Sequence, residues 1–266
     1  MKMNKLLVAG IIIITVFTLT ALFAPLLAPH DPAAIDQDAL LMPPSAEHPL
    51  GTDSLGRDIF SRILYGARIS LSIGLIAVGI ATLIGMIFGA AAGFYGGAVD
   101  ALIMRFVDIM LCFPTFFLIL TVVAITDPSI FNIMVIIGLT GWMGTARLVR
   151  SEILSLKERE FIQAARAIGV SDRRLIMRHL IPNAVDPVIV NATLGIAGAI
   201  LLESGLSFLG LGVQPPTASW GNILIEAKST LGVAWWITVF PGLAILITIV
   251  GFNCIAEGLK KQMRLV

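Results

Sequence analysis

A few ionisable side chains stand inside long apolar runs, and a larger group forms a charged island between two such runs. Arg105 and Asp108 lie three residues apart, so on a helix they share a face and are expected to pair along it. Charges at such positions are costly and normally face protein or a water-filled path. Glu203, followed by Ser204 and Gly205, stands near the end of an apolar run. It could meet the charged amino end of a solute at an outer gate. It could equally hold the Gly-rich turn that follows by hydrogen bonds. Arg105, Asp108 and Glu203 are thus the candidates for a gate or pathway. Asn191 and Thr193 either line a path or join helices. Cys112 and Cys254 lie in apolar runs and read as small buried residues. His30, His48 and His179 are far apart and outside those runs, so no metal site is expected. No GxxxxGK[ST] phosphate loop occurs, so the chain should hold no ATP itself. The apolar runs carry no cluster of acids or histidines that would suit a membrane-embedded enzyme.

The elements that carry these residues are set by composition. Of 266 residues 57% are hydrophobic and 13% charged, with a mean hydropathy of +0.95. That is outside the range of soluble domains. The apolar runs are continuous and near the roughly 20 residues a spanning helix needs. They lack the alternation of a membrane barrel. The reading is an all-α membrane protein with six transmembrane helices, at about 6–27, 69–93, 101–125, 129–148, 187–206 and 235–259. The first, within an N-terminal unit 1–28, reads as an uncleaved anchor. Gly85, Gly89 and Gly93 recur every fourth residue and predict a close helix-packing stripe. Pro114 and Pro241 are candidate kinks. The net charge of +1 points to no nucleic-acid partner.

Positive charge sets the expected orientation. With the N-terminus cytoplasmic, thirteen basic residues face inward: Lys2, Lys5, Arg147, Arg150, Lys157, Arg159, Arg166, Arg173, Arg174, Arg178, Lys260, Lys261 and Arg264. Four face outward: Arg57, Arg62, Arg68 and Lys228. Both termini, including the tail 260–266, are therefore expected in the cytoplasm. Outside lies a Pro-rich segment, 29–68, ending in a short interfacial helix over 58–68. A second outer segment, 205–230, holds Pro215-Pro216 and several glycines that exclude a long helix. Trp220, Trp235 and Trp236 are expected at the membrane–water boundary.

The island, Glu158 to Asn183, reads as two short helices. Phe161, Ala164, Ala165 and Ile168 give the first an apolar face, kept low by the two alanines. Gly169 should end it at positive φ. Ser171 and Asp172 suit the start of the second helix. Leu175, Ile176, His179 and Leu180 form its stripe, and Pro182 should stop it. Pro187 would then open the fifth span. A helical hairpin held against a membrane face is a docking surface.

The island resembles the EAA loop of permease subunits in ATP-driven, binding-protein-dependent importers. The pattern's spacing falls on Gln163, Ala164, Ala165, Gly169, His179, Ile181 and Pro182, with the alanines, glycine and proline intact. Three depart from that pattern: Gln163 replaces a glutamate, His179 an isoleucine and Ile181 a leucine. HPLGTDSLGRDIFSRILYGARISLSIG (48–74) and SFLGLGVQPPTASWGNIL (207–224) resemble segments of peptide and nickel permeases, closest to the second subunit of dipeptide and oligopeptide importers. The LCFPTF stretch at Pro114 also fits. The resemblance implies a type-1 ABC importer permease (MetI-like) fold over 69–259, in a bacterial or archaeal cytoplasmic membrane. It implies a second homologous permease subunit, two ATP-binding subunits that carry ATP-Mg and dock on 158–183, and an extracytoplasmic solute-binding protein. Small peptides are the implied cargo. Nickel or another small solute stays open as the alternative, and an ion-gradient-driven transporter less so.

Overall fold

The computed structural model describes residues 4–126, 129–230 and 232–263. Lys2 and Arg264, part of the charge asymmetry, lie outside the described residues. Among these, the regular structure is helical apart from one isolated bridge between Thr52 and Asp58. The helices are α1 (Lys5–Leu22), α2 (Ala24–Leu27), α3 (Ile59–Tyr95), α4 (Gly97–Leu111), α5 (Thr115–Ala124), α6 (Ile130–Lys157), α7 (Glu160–Ala167), α8 (Asp172–Leu175), α9 (Ile181–Phe208), α10 (Trp220–Thr230) and α11 (Trp236–Met263). Five stretches are long and apolar enough to span a bilayer: α1, α3, α6, the continuous run through α8 and α9, and α11. The bent pair α4–α5 makes a sixth.

Four expectations change. The interfacial helix over 58–68 is not a separate element. Asp58 caps α3, accepting from the Ser61 amide at 2.8 Å and hydroxyl at 2.7 Å, and the helix then runs unbroken to Tyr95. No proline interrupts it, and its first turns pack against α2 and α10. The third span is not one rod: α4 and α5 meet at 80°. Pro114 is the cause, because it lacks a donor and forces extended backbone at the junction. Nor is the second outer segment all loop. Pro215 and Pro216 precede α10, which then forms over eleven residues with Gly221 inside it. Finally, Trp220 and Trp236 are buried pegs. Their indole N–H groups donate to Ile63 O at 3.1 Å and Thr52 O at 2.9 Å, leaving only Trp235 exposed.

The small-residue stripe on α3 is borne out. It lies flush on α6, where a Cβ at Gly89 would sit 2.5 Å from the Ala146 carbonyl oxygen. Similar obstacles, Thr145 and Ile153, stand at Gly85 and Gly93. Apolar clusters fill the bundle on both sides of this seam. One, built on Ile73, Ile119, Ile133 and Leu206, joins α3, α5, α6 and α9. Another, built on Phe94, Ile153, Ile162 and Leu175, fastens the charged island to the ends of α3 and α6.

Candidate functional site: the charged hairpin

The hairpin begins where α6 ends. Gln163 turns back from α7, and its side-chain amide donates to the Lys157 carbonyl at 3.0 Å. A carboxylate could not make that bond, so the departure from glutamate at this position has a local use. Lys157 in turn caps the C-terminal end of α3, donating to Phe94 O at 2.9 Å and Gly93 O at 3.3 Å. Arg166 lies over the Phe94 ring at 5.3 Å. Three helix ends are thus stitched together at one point.

Gly169 ends α7 as expected, at φ +79°. Val170 N–H bonds Ala165 O and Gly169 N–H bonds Arg166 O, which is the Schellman pattern of helix termination. Ser171 precedes α8 without a side-chain capping bond.

Two expectations for the hairpin fail. The apolar face of α7 is split. Ile162 and Ala165 are buried against α3 and α6, with Leu175 and Leu180 beside them. Phe161, Ala164 and Ile168 point the other way. Ala165 therefore belongs to the underside, and the low outward spot is Ala164. Ile162, Leu175 and Leu180 are fully buried, each gaining about 1.5–3 kcal/mol. That anchors the hairpin as a rigid unit. On its outer surface Ile168 is 82% exposed, Met177 60% and Phe161 45%. A cleft of about 750 Å³ opens beside Phe161, bordered by Arg159, Asn183, Asp186 and Gln262.

Pro182, secondly, does not stop the helix, and Pro187 is not the first residue of the fifth span. Residues Ile176–Leu180 form one π turn, closed by Ile181 N–H on Ile176 O, and α9 continues straight from it. Proline lacks an N–H for the carbonyl four residues back and crowds it. The wider π turn just before Pro182 relieves that crowding, and such turns recur at functional sites. His179 lies within this turn and Ile181 follows it, and the Asn183 amide donates to His179 O at 2.6 Å. Pro187 then lies inside α9.

The structure does not pair Arg105 with Asp108. Asp108 instead accepts from Arg147 of α6 at 2.5 Å, and Arg105 is exposed. One turn away Arg150 grips Asp100 with two bonds, 2.5 and 2.6 Å. Both pairs tie α4 to α6, close to the hairpin. Glu203 is fully buried, held by the hydroxyls of Ser207 at 2.6 Å and Ser219 at 2.9 Å. These bonds tie the end of α9 to the residue just before α10. Asn191 joins α9 to Thr145 of α6 at 3.1 Å, and Thr193 bonds back to Ile189 O. Thr193 thus bonds within α9, while Asn191 joins two helices and also lines a pocket among α3, α5, α6 and α9. Cys112 is exposed and Cys254 half-buried, so neither is the buried residue expected.

At the far end of α3 lies a cluster that sequence reasoning missed. Asp53 accepts from Arg57 Nε at 2.7 Å and faces Arg62 at 3.3 Å. Both arginines also meet Glu226 of α10, Arg57 at short range and Arg62 at 3.3 Å. All four groups are largely buried. Burial pushes the Glu226 carboxyl above its ordinary pKa, and the Asp53 charge adds to this, while Arg62 and Arg57 oppose the rise. The network pins the segment before α3 onto α10. The only hint in the sequence was the density of charges in GTDSLGRDIFSR, with no indication that Glu226 would join them.

Comparison with known proteins gives concordant matches. Residues 81–265 match the family described as binding-protein-dependent transport system inner membrane component. Residues 1–44 match the N-terminal TM domain of oligopeptide transport permease C. The dipeptide transport system permease protein DppC of Alkalihalophilus pseudofirmus is 46% identical over 263 residues, covering 99% of this chain and 86% of that protein. The probable D,D-dipeptide transport system permease protein DdpC of Escherichia coli is 42% identical, covering 98% and 87%. The oligopeptide transport system permease protein OppC of Bacillus subtilis is 39% identical, covering 98% and 86%. Among solved structures, a chain of the inward-facing MetNI methionine ABC transporter superposes with a TM-score of 0.53 at 16% identity, covering 73% of this chain and 94% of that one. A chain of an amino acid ABC transporter gives 0.52 at 14%, covering 78% and 93%. These two bear on fold alone.

Proposed function

We propose, because this chain belongs to the family of binding-protein-dependent transport system inner membrane components, that it is a transmembrane permease subunit importing small peptides at the expense of ATP. The observation that carries the mechanism is the hairpin: an apolar knob of Phe161, Ile168 and Met177 on a base locked to α3, α6 and α9. Exposed apolar groups on a rigid mount suit a socket on another protein.

The knob is read as cytoplasmic, as are both termini. The charge asymmetry supports this, and two of the four outward basic residues, Arg57 and Arg62, are neutralised by Asp53 and Glu226. The units are then the anchor at 1–28, an outer segment at 29–68, the bundle at 69–259 with the coupling hairpin 158–183, and a cytoplasmic tail. Two ATP-binding subunits dock on this hairpin and its counterpart in a second permease. They hold the ATP-Mg, since this chain has no phosphate loop. A solute-binding protein delivers peptide to the outer face of a bacterial or archaeal cytoplasmic membrane. A partly open pocket among α3, α5, α6 and α9 is about 160 Å³. At roughly 30 Å³ per water it has room for only a few waters. The peptide path is therefore assigned to the interface between the two permeases, not to the inside of this one.

Closure of the ATP-binding subunits moves the hairpins, and α9, continuous with the π turn, carries that motion into the bundle. Gln163, Ala164, Gly169, His179, Ile181 and Pro182 shape the docking unit, and Ala165 seats it. Cross-linking tests this. An Ile168→Cys variant should cross-link to the ATP-binding subunit in inside-out vesicles, and uptake should require ATP. Labelling of that cysteine from the outer side of intact cells would overturn the assignment.

A further inference from the structure

We infer that His30, Glu47 and His48 form a binding site for one divalent transition metal ion of the Zn²⁺ class. The sequence separates the two histidines by a long polar segment, and no metal was expected there. The fold brings their rings to 4.7 Å between centroids, tilted by 31°. One ligand atom from each of His30, Glu47 and His48 lies within 4.8 Å of the other two.

Ligands sharing a tetrahedral zinc at 2.0–2.1 Å stand roughly 3.4 Å apart. Glu47 is exposed and free to swing inward, so side-chain rotation can close the difference. The chemistry also fits. His48 is buried, and its Nδ1 lies 3.0 Å from Asp58 Oδ1. That carboxylate fixes the tautomer with the proton on Nδ1 and leaves the Nε2 lone pair for a metal, the usual outer-shell arrangement of a metal-bound histidine. Nδ1 of His30 is buried without a hydrogen-bond partner and stands 4.0 Å from Asp58, too far to bond it. A buried, unpartnered ring nitrogen beside a second imidazole has an unmet need that a cation satisfies. Two imidazoles with one carboxylate select zinc, nickel, cobalt or copper over magnesium or calcium.

Bound metal would clamp the chain just after α2 to the turn at Glu47–His48, upstream of the Thr52–Asp58 bridge. Asp58, which caps α3, sits directly behind it. The site lies at the opposite end of α3 from the hairpin, so it is independent of the docking reading.

The test uses the full chain, purified without a histidine tag in lipid nanodiscs. It is equilibrated with Zn²⁺, desalted and assayed for metal by mass spectrometry. The wild-type chain should retain one Zn²⁺, released by a chelator, and its melting temperature should rise with Zn²⁺ but not with Mg²⁺. Co²⁺ in place of Zn²⁺ should give the d–d absorption of a nitrogen/oxygen site. His30→Ala and Glu47→Ala should each lose the ion while melting like the metal-free wild type, since neither side chain is a core residue. Loss of Zn²⁺ in both with retained fold supports the site. Zn²⁺ retained by both variants, or none held by the wild type, overturns it.

Discussion

Replacing Ile168 by asparagine isolates the docking role of the hairpin. Ile168 sits just past α7, is 82% exposed, and makes no part of the buried clusters. Its backbone N–H bonds Ala164 O, which asparagine preserves. The fold should therefore be unaffected. If the exposed side chain is covered by an ATP-binding subunit, the substitution removes that gain. Burying a whole isoleucine side chain is worth about 1.5–3 kcal/mol, so 82% of it is worth roughly 1.2–2.5 kcal/mol. That corresponds to a loss of roughly 8- to 70-fold in affinity. The assay is titration of the ATP-binding subunits onto the permease pair in nanodiscs, with melting temperature as the control. Uptake should fall in parallel at limiting ATP-binding subunit. Affinity within about twofold of wild type, with melting unchanged, would refute the claim that this knob is the docked surface.

Gly89→Leu should sharply reduce folded protein, because its side chain would strike the Ala146 backbone, whereas Gly79→Leu, with open space around it, should be tolerated; detergent-solubilised yield compares them. Glu226→Ala should lower stability by about 3–5 kcal/mol, read from thermal melting, since it leaves the buried Arg57 and Arg62 with Asp53 alone to balance two charges. Gln163→Glu should loosen the hairpin base by about 0.5–1.5 kcal/mol, because it deletes the donor to Lys157 O. Faster hydrogen exchange confined to residues 158–168 would report that loosening, and unchanged exchange would count against the stitched junction.

Residue types and their periods determined a good deal by themselves. Apolar run length gave six spans, because a bilayer demands a fixed helix length whatever the neighbours are. The glycine stripe on α3 and the end of α7 at Gly169 were legible for the same reason: small size and positive φ are properties of one residue type. The family likeness needed only the order of motifs along the chain. What the sequence left open was the partner of each group. Asp108 chose Arg147 over Arg105, since the α4–α6 contact offers a closer guanidinium than its own helix does. Ala165 went under and Ala164 stayed out, because which of two apolar stripes meets the core depends on how α7 lands on α3 and α6. Pro182 became part of a continuous helix because a π turn could absorb its ring, an adjustment that local propensity does not encode. His30 met His48, and Asp53 met Glu226, across long stretches of chain. Contacts of that kind are fixed by packing of the whole bundle, so only the tertiary structure could decide them.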